Sequence, residues 1–138
     1  MVGKTRNPHV RAMVEDYAKR IRHYCSMEVA ETRALPAELA NGKKPAGIVR
    51  KWVLLDAVGR AMTSEEFSHW LGHERDAGTR ELVFVLGPAE GFSEATKRRA
   101  AVRLSLTPLT LSHELARVVL LEQIYRAFTI LAGHPYAK

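Results

Sequence analysis

The run Leu82-Val83-Phe84-Val85-Leu86, closed by Gly87-Pro88-Ala89-Glu90-Gly91, decides the fold. It is apolar on both faces, as a strand is when helices cover both sides of a parallel sheet. Glycine and proline then break it at once. Trp52-Val53-Leu54-Leu55 reads as a second buried strand with Asp56 at its carboxyl end. Arg103-Leu104-Ser105-Leu106 reads as a third, short one, and Met27–Glu31 as another. Helical segments separate them, so the pattern predicts an α/β parallel-sheet protein. Ligands of such sheets bind beyond the carboxyl ends of the strands. Three loops meet that description: Leu55–Arg60, Gly87–Phe92 and Leu106–Ser112.

Working outward, Pro8 suits a helix start, because its missing N–H has no partner to lose there. Val10, Met13, Val14, Tyr17, Ile21 and Tyr24 follow at helical spacing and predict one apolar face. Pro36, Gly42, Pro45 and Gly47 allow only a short helix and then a mobile basic loop carrying Lys43 and Lys44. Thr63 and Glu66 have capping-box spacing ahead of a helix through Phe67, Trp70 and Leu71. Ser93 can cap the next helix. The last helix is expected from about His113 to Leu131. Its stretch Val118-Val119-Leu120-Leu121 is apolar around more than one face, so it is buried on two sides or lies in a subunit interface.

The chain has 138 residues, a formal net charge of +6 and a sequence pI near 9.8. That length suits one domain with a core that needs no staples. A single cysteine, Cys25, excludes a disulfide framework and any multi-cysteine zinc site, and reads as a buried thiol. No apolar run is long enough to cross a bilayer, and no secretory signal opens the chain. A cytoplasmic protein without a membrane partner is therefore expected. The basic balance is consistent with a polyanionic partner and does not prove one.

Most chemical motifs fail on their own requirements. Gly3-Lys4-Thr5 ends like a phosphate-binding loop, but the earlier glycine and preceding strand that the motif needs do not stand before it. His69 and His73 are a helical turn apart, yet a catalytic zinc would lack its third ligand, so no metal is expected. Ser112-His113 lacks a nucleophile elbow, and Ser112 reads as a helix cap. Gly87–Gly91 does not follow the dinucleotide spacing. A tight turn and a nucleotide-like site remain equally open there.

The C-terminal motifs are more specific. Phe84-Val85-Leu86-Gly87-Pro88-Ala89-Glu90-Gly91-Phe92 leads to Leu104-Ser105-Leu106-Thr107-Pro108-Leu109-Thr110-Leu111-Ser112-His113-Glu114-Leu115-Ala116-Arg117. Then come Leu121-Glu122-Gln123-Ile124-Tyr125-Arg126-Ala127 and His134-Pro135-Tyr136. In order and spacing this resembles the RlmH family of SPOUT methyltransferases. Val2-Gly3-Lys4-Thr5 and Tyr17-Ala18-Lys19-Arg20-Ile21 resemble its N-terminal part. The resemblance covers essentially the whole chain as one domain, residues 1–138. It implies an α/β SPOUT fold with a parallel sheet, helices on both faces and a C-terminal trefoil knot, in a homodimer. It implies S-adenosyl-L-methionine as methyl donor and N3 of a pseudouridine in large-subunit ribosomal RNA, within the assembled ribosome, as acceptor. Residue by residue it places Leu55, Gly87, Leu106, Thr107, Pro108, Leu109, Thr110 and Leu111 against the cofactor. Arg126 and Tyr136 become catalytic candidates, and Arg126, His134, Tyr136 and Lys138 face RNA. For Arg126, an ion pair with Glu122 four residues earlier is an equal alternative.

Three departures from the family pattern stand out. Only Met1 precedes Val2 where the family has an apolar strand, so a strand is expected to be missing and a sheet edge exposed. Pro88 stands where the family has a second glycine, and removes an N–H. Ala137-Lys138 stands where the family tail carries a histidine. These departures raise an alternative: a degenerate ribosome- or RNA-binding homologue with weak or absent transfer.

Overall fold

A computed structural model of the protein describes residues 1–43 and 50–136. Lys44, Pro45 and Gly47 of the expected basic loop, and the tail residues Ala137 and Lys138, lie outside the described residues. Helix α1 covers Pro8–Ile21, and the Asn7 side chain accepts hydrogen bonds from the His9 and Val10 N–H groups at its start. Helix α2 is Ala37–Asn41. Strand β1, Arg50–Ala61, leads through α3, Ser64–Asp76, to β2, Glu81–Leu86. Helix α4, Glu94–Arg99, strand β3, Val102–Ser105, and helix α5, His113–Ala132, complete the chain. Thr63, Ser93 and Ser112 cap α3, α4 and α5 through their hydroxyl oxygens.

The sheet is parallel, in the order β2-β1-β3. Side chains alternate across it. Val53, Leu55, Phe84, Leu86 and Leu104 face a core shared with α1, α3 and α5. Trp52, Leu54 and Val85 face a smaller core with Leu39 of α2, Phe92 and Ala100. Helices therefore cover both faces, which is why β1 and β2 read as continuous apolar runs. Among the described residues, no helix is long and apolar enough to cross a membrane.

Two strand expectations are corrected. The expected loop Leu55–Arg60 is part of β1, which shifts register between Leu55 and Arg60 and rejoins β3 at Arg60–Leu104 and Ala61–Ser105. That stretch is held by backbone rather than by apolar burial, so periodicity missed it. A Cβ at Gly59 would stand 2.6 Å from the Arg103 carbonyl oxygen, so only glycine fits the close approach. Met27–Glu31 forms no ladder; the chain there meets the N-terminus through an isolated parallel bridge between Val2 and Thr32, through the Met1 nitrogen donating to Ala30 C=O and through Thr5 N–H donating to Glu31 Oε1.

Helices α1 and α5 run side by side in the same direction. At one end Glu114 accepts from the Arg6 and Asn7 N–H groups, and at the other Tyr24 stacks on Phe128. Met13, expected on the buried face of α1, is 47% exposed, while Val14, Ala18 and Ile21 are buried. Gly72 lets α3 approach α5, since a Cβ there would lie 2.8 Å from the Leu131 side chain. Its place in the helix is explained by packing.

In the last turn of α3, Glu74 has a buried carboxylate that accepts from Lys51 Nζ at 2.8 Å and Thr79 Oγ1 at 2.6 Å. These hydrogen bonds, Lys51 first, hold its carboxyl below the ordinary glutamate range. A depressed folded-state value stabilises the fold at neutral pH and is lost as acid protonates the folded carboxylate. Glu74→Gln is therefore expected to cost about 1–3 kcal/mol at pH 7. The gap between wild type and variant should shrink below pH 4.5. Thermal melts from pH 7 to pH 3 read it, and a gap independent of pH would contradict it.

Candidate functional site

The register puts Leu55 between Leu86 on one side and Leu104 on the other. Leu55 in the middle of β1 therefore lies level with the last residues of β2 and β3, and the chain just beyond these three positions converges. They enclose a pocket of about 230 Å³. Leu55, Asp56 and Ala57 form one wall, and Leu86, Gly87, Pro88, Ala89 and Phe92 a second. Leu104, Leu106, Thr107, Leu109, Thr110 and Leu111 form a third, closed by His113 and Ala116 of α5.

Seven expected cofactor residues meet here: Leu55, Gly87, Leu106, Thr107, Leu109, Thr110 and Leu111. Pro108 does not line the pocket and is exposed, at the outside of the bend. Ser105 Oγ donates to the Thr107 carbonyl at 3.1 Å, and Leu109 N–H donates to Thr107 Oγ1 at 3.1 Å. These bonds shape the loop and leave its apolar side chains along the pocket. The turn Pro88–Gly91 is closed by Gly91 N–H donating to the Pro88 carbonyl at 2.9 Å, with Gly91 at φ 84°. Pro88 thus starts a turn closed through its carbonyl, which does not need the N–H that proline lacks.

Gly87 is buried, and a Cβ there would lie 2.4 Å from the Phe92 ring. Phe92 packs over the strand end only because position 87 has no side chain. Asp56, unassigned by sequence reasoning, lines the same pocket. Its Oδ1 accepts from Val58 N–H at 3.2 Å. Its Oδ2 is buried, has no hydrogen bond among the described residues and lies 3.8 Å from Arg103 Nη1. A buried, incompletely paired carboxylate oxygen suits a ligand bearing positive charge or donor groups. The signal available in the sequence was its place directly after an apolar strand.

The catalytic and RNA-facing candidates lie elsewhere on the chain. None of Arg126, His134 and Tyr136 lines the pocket. They gather where α1 and α5 end. Arg126 forms the ion pair weighed from the sequence, Nη2 to Glu122 Oε1 at 2.6 Å, and also lies 4.7 Å from the centre of the Tyr136 ring. Tyr136 meets Tyr125 edge-on at 4.8 Å, and its hydroxyl donates to Tyr17 Oη at 3.5 Å. Burial first, then the Tyr17 contact, holds the Tyr136 phenol far above its ordinary range. At neutral pH it is a donor and not a base. His134 Nδ1 is 2.7 Å from the Tyr24 hydroxyl. His69 and His73 are exposed on α3, and Lys138 lies outside the described residues. Cys25 is half-buried, and burial raises its thiol above the ordinary range.

Comparison with known proteins adds the family. Residues 1–137 match the model of a family described as predicted SPOUT methyltransferases. The chain is 41% identical over 135 residues to a protein of Koribacter versatilis named ribosomal RNA large subunit methyltransferase H. That match covers 98% of this chain and 92% of the relative. A protein of the same name from Geobacter sp. (strain M21) is 43% identical over 144 residues, covering 98% and 94%. Another from Coprothermobacter proteolyticus is 40% identical over 140 residues, covering 99% and 95%.

Gly87→Ala tests the geometry of the pocket. Its Cβ must displace the Phe92 ring, so the variant is expected to lose about 1–3 kcal/mol of stability in denaturant titration. Adding Phe92→Leu, which removes the clashing ring, should recover part of that loss. Independent, additive losses would contradict the proposed contact.

Proposed function

The chain belongs to the SPOUT methyltransferase family, and from that premise we propose how it carries out its reaction. It is a ribosomal RNA methyltransferase. The degenerate, inactive alternative is not favoured. The proposed donor is S-adenosyl-L-methionine, and the proposed acceptor is N3 of a pseudouridine in large-subunit RNA within the ribosome. The observation that carries this reading is the convergence of Leu55, Gly87 and the Leu106–Leu111 loop on one pocket with Asp56.

The residues present fit such a donor. The apolar walls suit its adenine and methylene parts, and the orphaned Asp56 oxygen suits an ammonium or a ribose hydroxyl. When bound, the donor supplies an electrophilic methyl group on a sulfonium. The protein's work is alignment and exclusion of water. Leu55, Leu86 and Leu106 provide the dry floor, and Gly87 lets the loop close on it. Arg126, held by Glu122, offers positive charge to a phosphate or to a base losing its N3 proton. Tyr136 offers a ring edge and a protonated hydroxyl to the same nucleotide.

Pocket and tail act together across a dimer. Arg126 stands ten positions beyond Ala116 on α5, about 15 Å along the axis. The pocket itself is smaller than the roughly 300–1,000 Å³ of most ligand sites. Two-fold association brings a partner's tail over each pocket, with exposed Leu109 and Leu115 at the contact. The C-terminal segment is proposed to be the knotted part, with the Leu106–Leu111 loop as its crossing.

Calorimetry with S-adenosyl-L-methionine tests the donor: Asp56→Asn is expected to weaken binding about tenfold. Mixing tests the partnership. Asp56→Asn and Arg126→Ala, each impaired alone, should regain about a quarter of wild-type transfer when allowed to exchange subunits. Only a mixed dimer then pairs an intact pocket with an intact tail. Full affinity in Asp56→Asn, or no recovery on exchange, would overturn the corresponding part.

A further inference from the structure

Where α1 and α5 end, rings and guanidiniums form a row. Tyr17 of α1 and Tyr24 just beyond it lie beside Tyr125, with ring centres 6.2 Å and 6.3 Å away. Tyr125 meets Tyr136, and Arg126 lies over Tyr136. At the other end of the row stands a second cation. The Arg20 guanidinium is 5.6 Å from the centre of the Tyr17 ring and 5.6 Å from that of Tyr125. The order is therefore Arg20, Tyr125, Tyr136, Arg126, each against the next. Among the described residues, Arg20 and Arg126 are the two cations that lie over rings of this cluster.

Nothing in the fold requires Arg20 there. Its Nη2 lies 3.1 Å from Asp16 Oδ2, one turn earlier on α1. Both side chains are open to solvent, at 46% and 54% exposure, and such a pair adds little to stability. Its neighbours on the helix are used differently: Arg11 donates to the Thr5 carbonyl and Arg22 to the Met27 carbonyl, so both fasten the chain. Arg20 makes no such backbone contact among the described residues. Its plane rests on two rings, and Asp16 and Tyr125 take only part of a fork of five N–H donors. A stacked, ordered guanidinium with donors along an exposed edge suits a phosphate. Rings beside it favour a nucleic acid over an acidic peptide, because they also offer stacking to bases.

We propose that Arg20 binds a backbone phosphate of the RNA, next to the nucleotide that Arg126 and Tyr136 hold. The phosphate takes the place of the Asp16 carboxylate on Nη2. The inference rests on the reading of this end of the protein as RNA-facing, and gives that surface a contact from α1 as well as α5.

The test measures binding to large-subunit particles and to naked large-subunit RNA between about 50 and 200 mM salt at constant magnesium. Each phosphate contact adds about 0.7–0.9 to the slope of log affinity against log salt. Arg20→Gln is expected to lower the slope by about that amount and to weaken binding about fivefold at roughly 100 mM salt, on particles and naked RNA alike. Arg20→Lys keeps the charge and should recover most of the slope. Arg75→Gln removes a similarly exposed cation, paired with Asp76 on α3, and should leave the slope unchanged. An unchanged slope in Arg20→Gln, beside a steep wild-type slope, overturns the inference alone. Equal losses from Arg20→Gln and Arg75→Gln reduce the effect to net charge and also overturn it. A slope that Arg20→Lys fails to restore makes the stack structural and does the same. Loss on particles but not on naked RNA puts the partner in a ribosomal protein and overturns the phosphate assignment. A wild-type slope near zero overturns the RNA-facing reading together with the inference.

Discussion

The parallel register that sets Leu55 between Leu86 and Leu104 is the constraint on which the site depends. Three strands aligned at these positions deliver the three segments that follow them to one place. The pocket is the space those segments cannot fill. Its chemistry then follows from the few positions where the walls are not apolar or not bulky. Gly87 yields to Phe92, Gly59 lets β1 cross the Arg103 backbone, and Asp56 places a carboxylate oxygen that no hydrogen bond satisfies among the described residues. A one-residue slip in any strand would turn its side chains to the opposite face and separate these features.

Helix α5 ties this edge to the rest of the molecule. Its first turn closes the pocket through His113 and Ala116, and its far half carries Glu122, Tyr125 and Arg126. Between them Arg117, 2% exposed, reaches back to the N-terminus. It donates to Thr5 Oγ1, to the Gly3 carbonyl at 2.8 Å and to the Val2 carbonyl at 3.1 Å. Glu31 lies 3.8 Å from it. Burial of Glu31 opposes its charge, but hydrogen bonds from Thr5 and the charges of Arg117 and Arg11 outweigh that and keep its carboxyl low. The buried guanidinium therefore holds Met1–Thr5 in place beside the end of β2. Truncating it would leave two carbonyls and a hydroxyl without their partner, which is costly in an interior.

Much of this was legible in the residues. Strand β2 showed itself by being apolar on both faces, and Thr63, Ser93 and Ser112 announced their helices by cap chemistry that is local in sequence. The pocket-lining loop Leu106–Leu111 was legible through the resemblance, because its residues are contiguous. What was not legible depends on distant partners. Glycine at position 72 disfavours a helix locally, and its reason, the close approach of Leu131, lies far along the chain. The second half of β1 carries no apolar signal, because backbone pairing alone holds it. Arg117 received no role from the sequence, since the groups it satisfies are mostly carbonyls that no sequence pattern marks. The ion pair of Arg126 with Glu122 is local and was foreseen. The separation of Arg126 and Tyr136 from the pocket was not, because motifs give order and not distance.

The most direct measurement is methyl transfer to ribosomal particles whose large-subunit RNA lacks this modification, with labelled S-adenosyl-L-methionine and mass mapping of the product. The account predicts one methyl group per large-subunit RNA, on N3 of a single pseudouridine, with intact particles a better substrate than naked RNA. Transfer to a different atom or RNA, or no transfer by a folded, donor-binding protein, would contradict it.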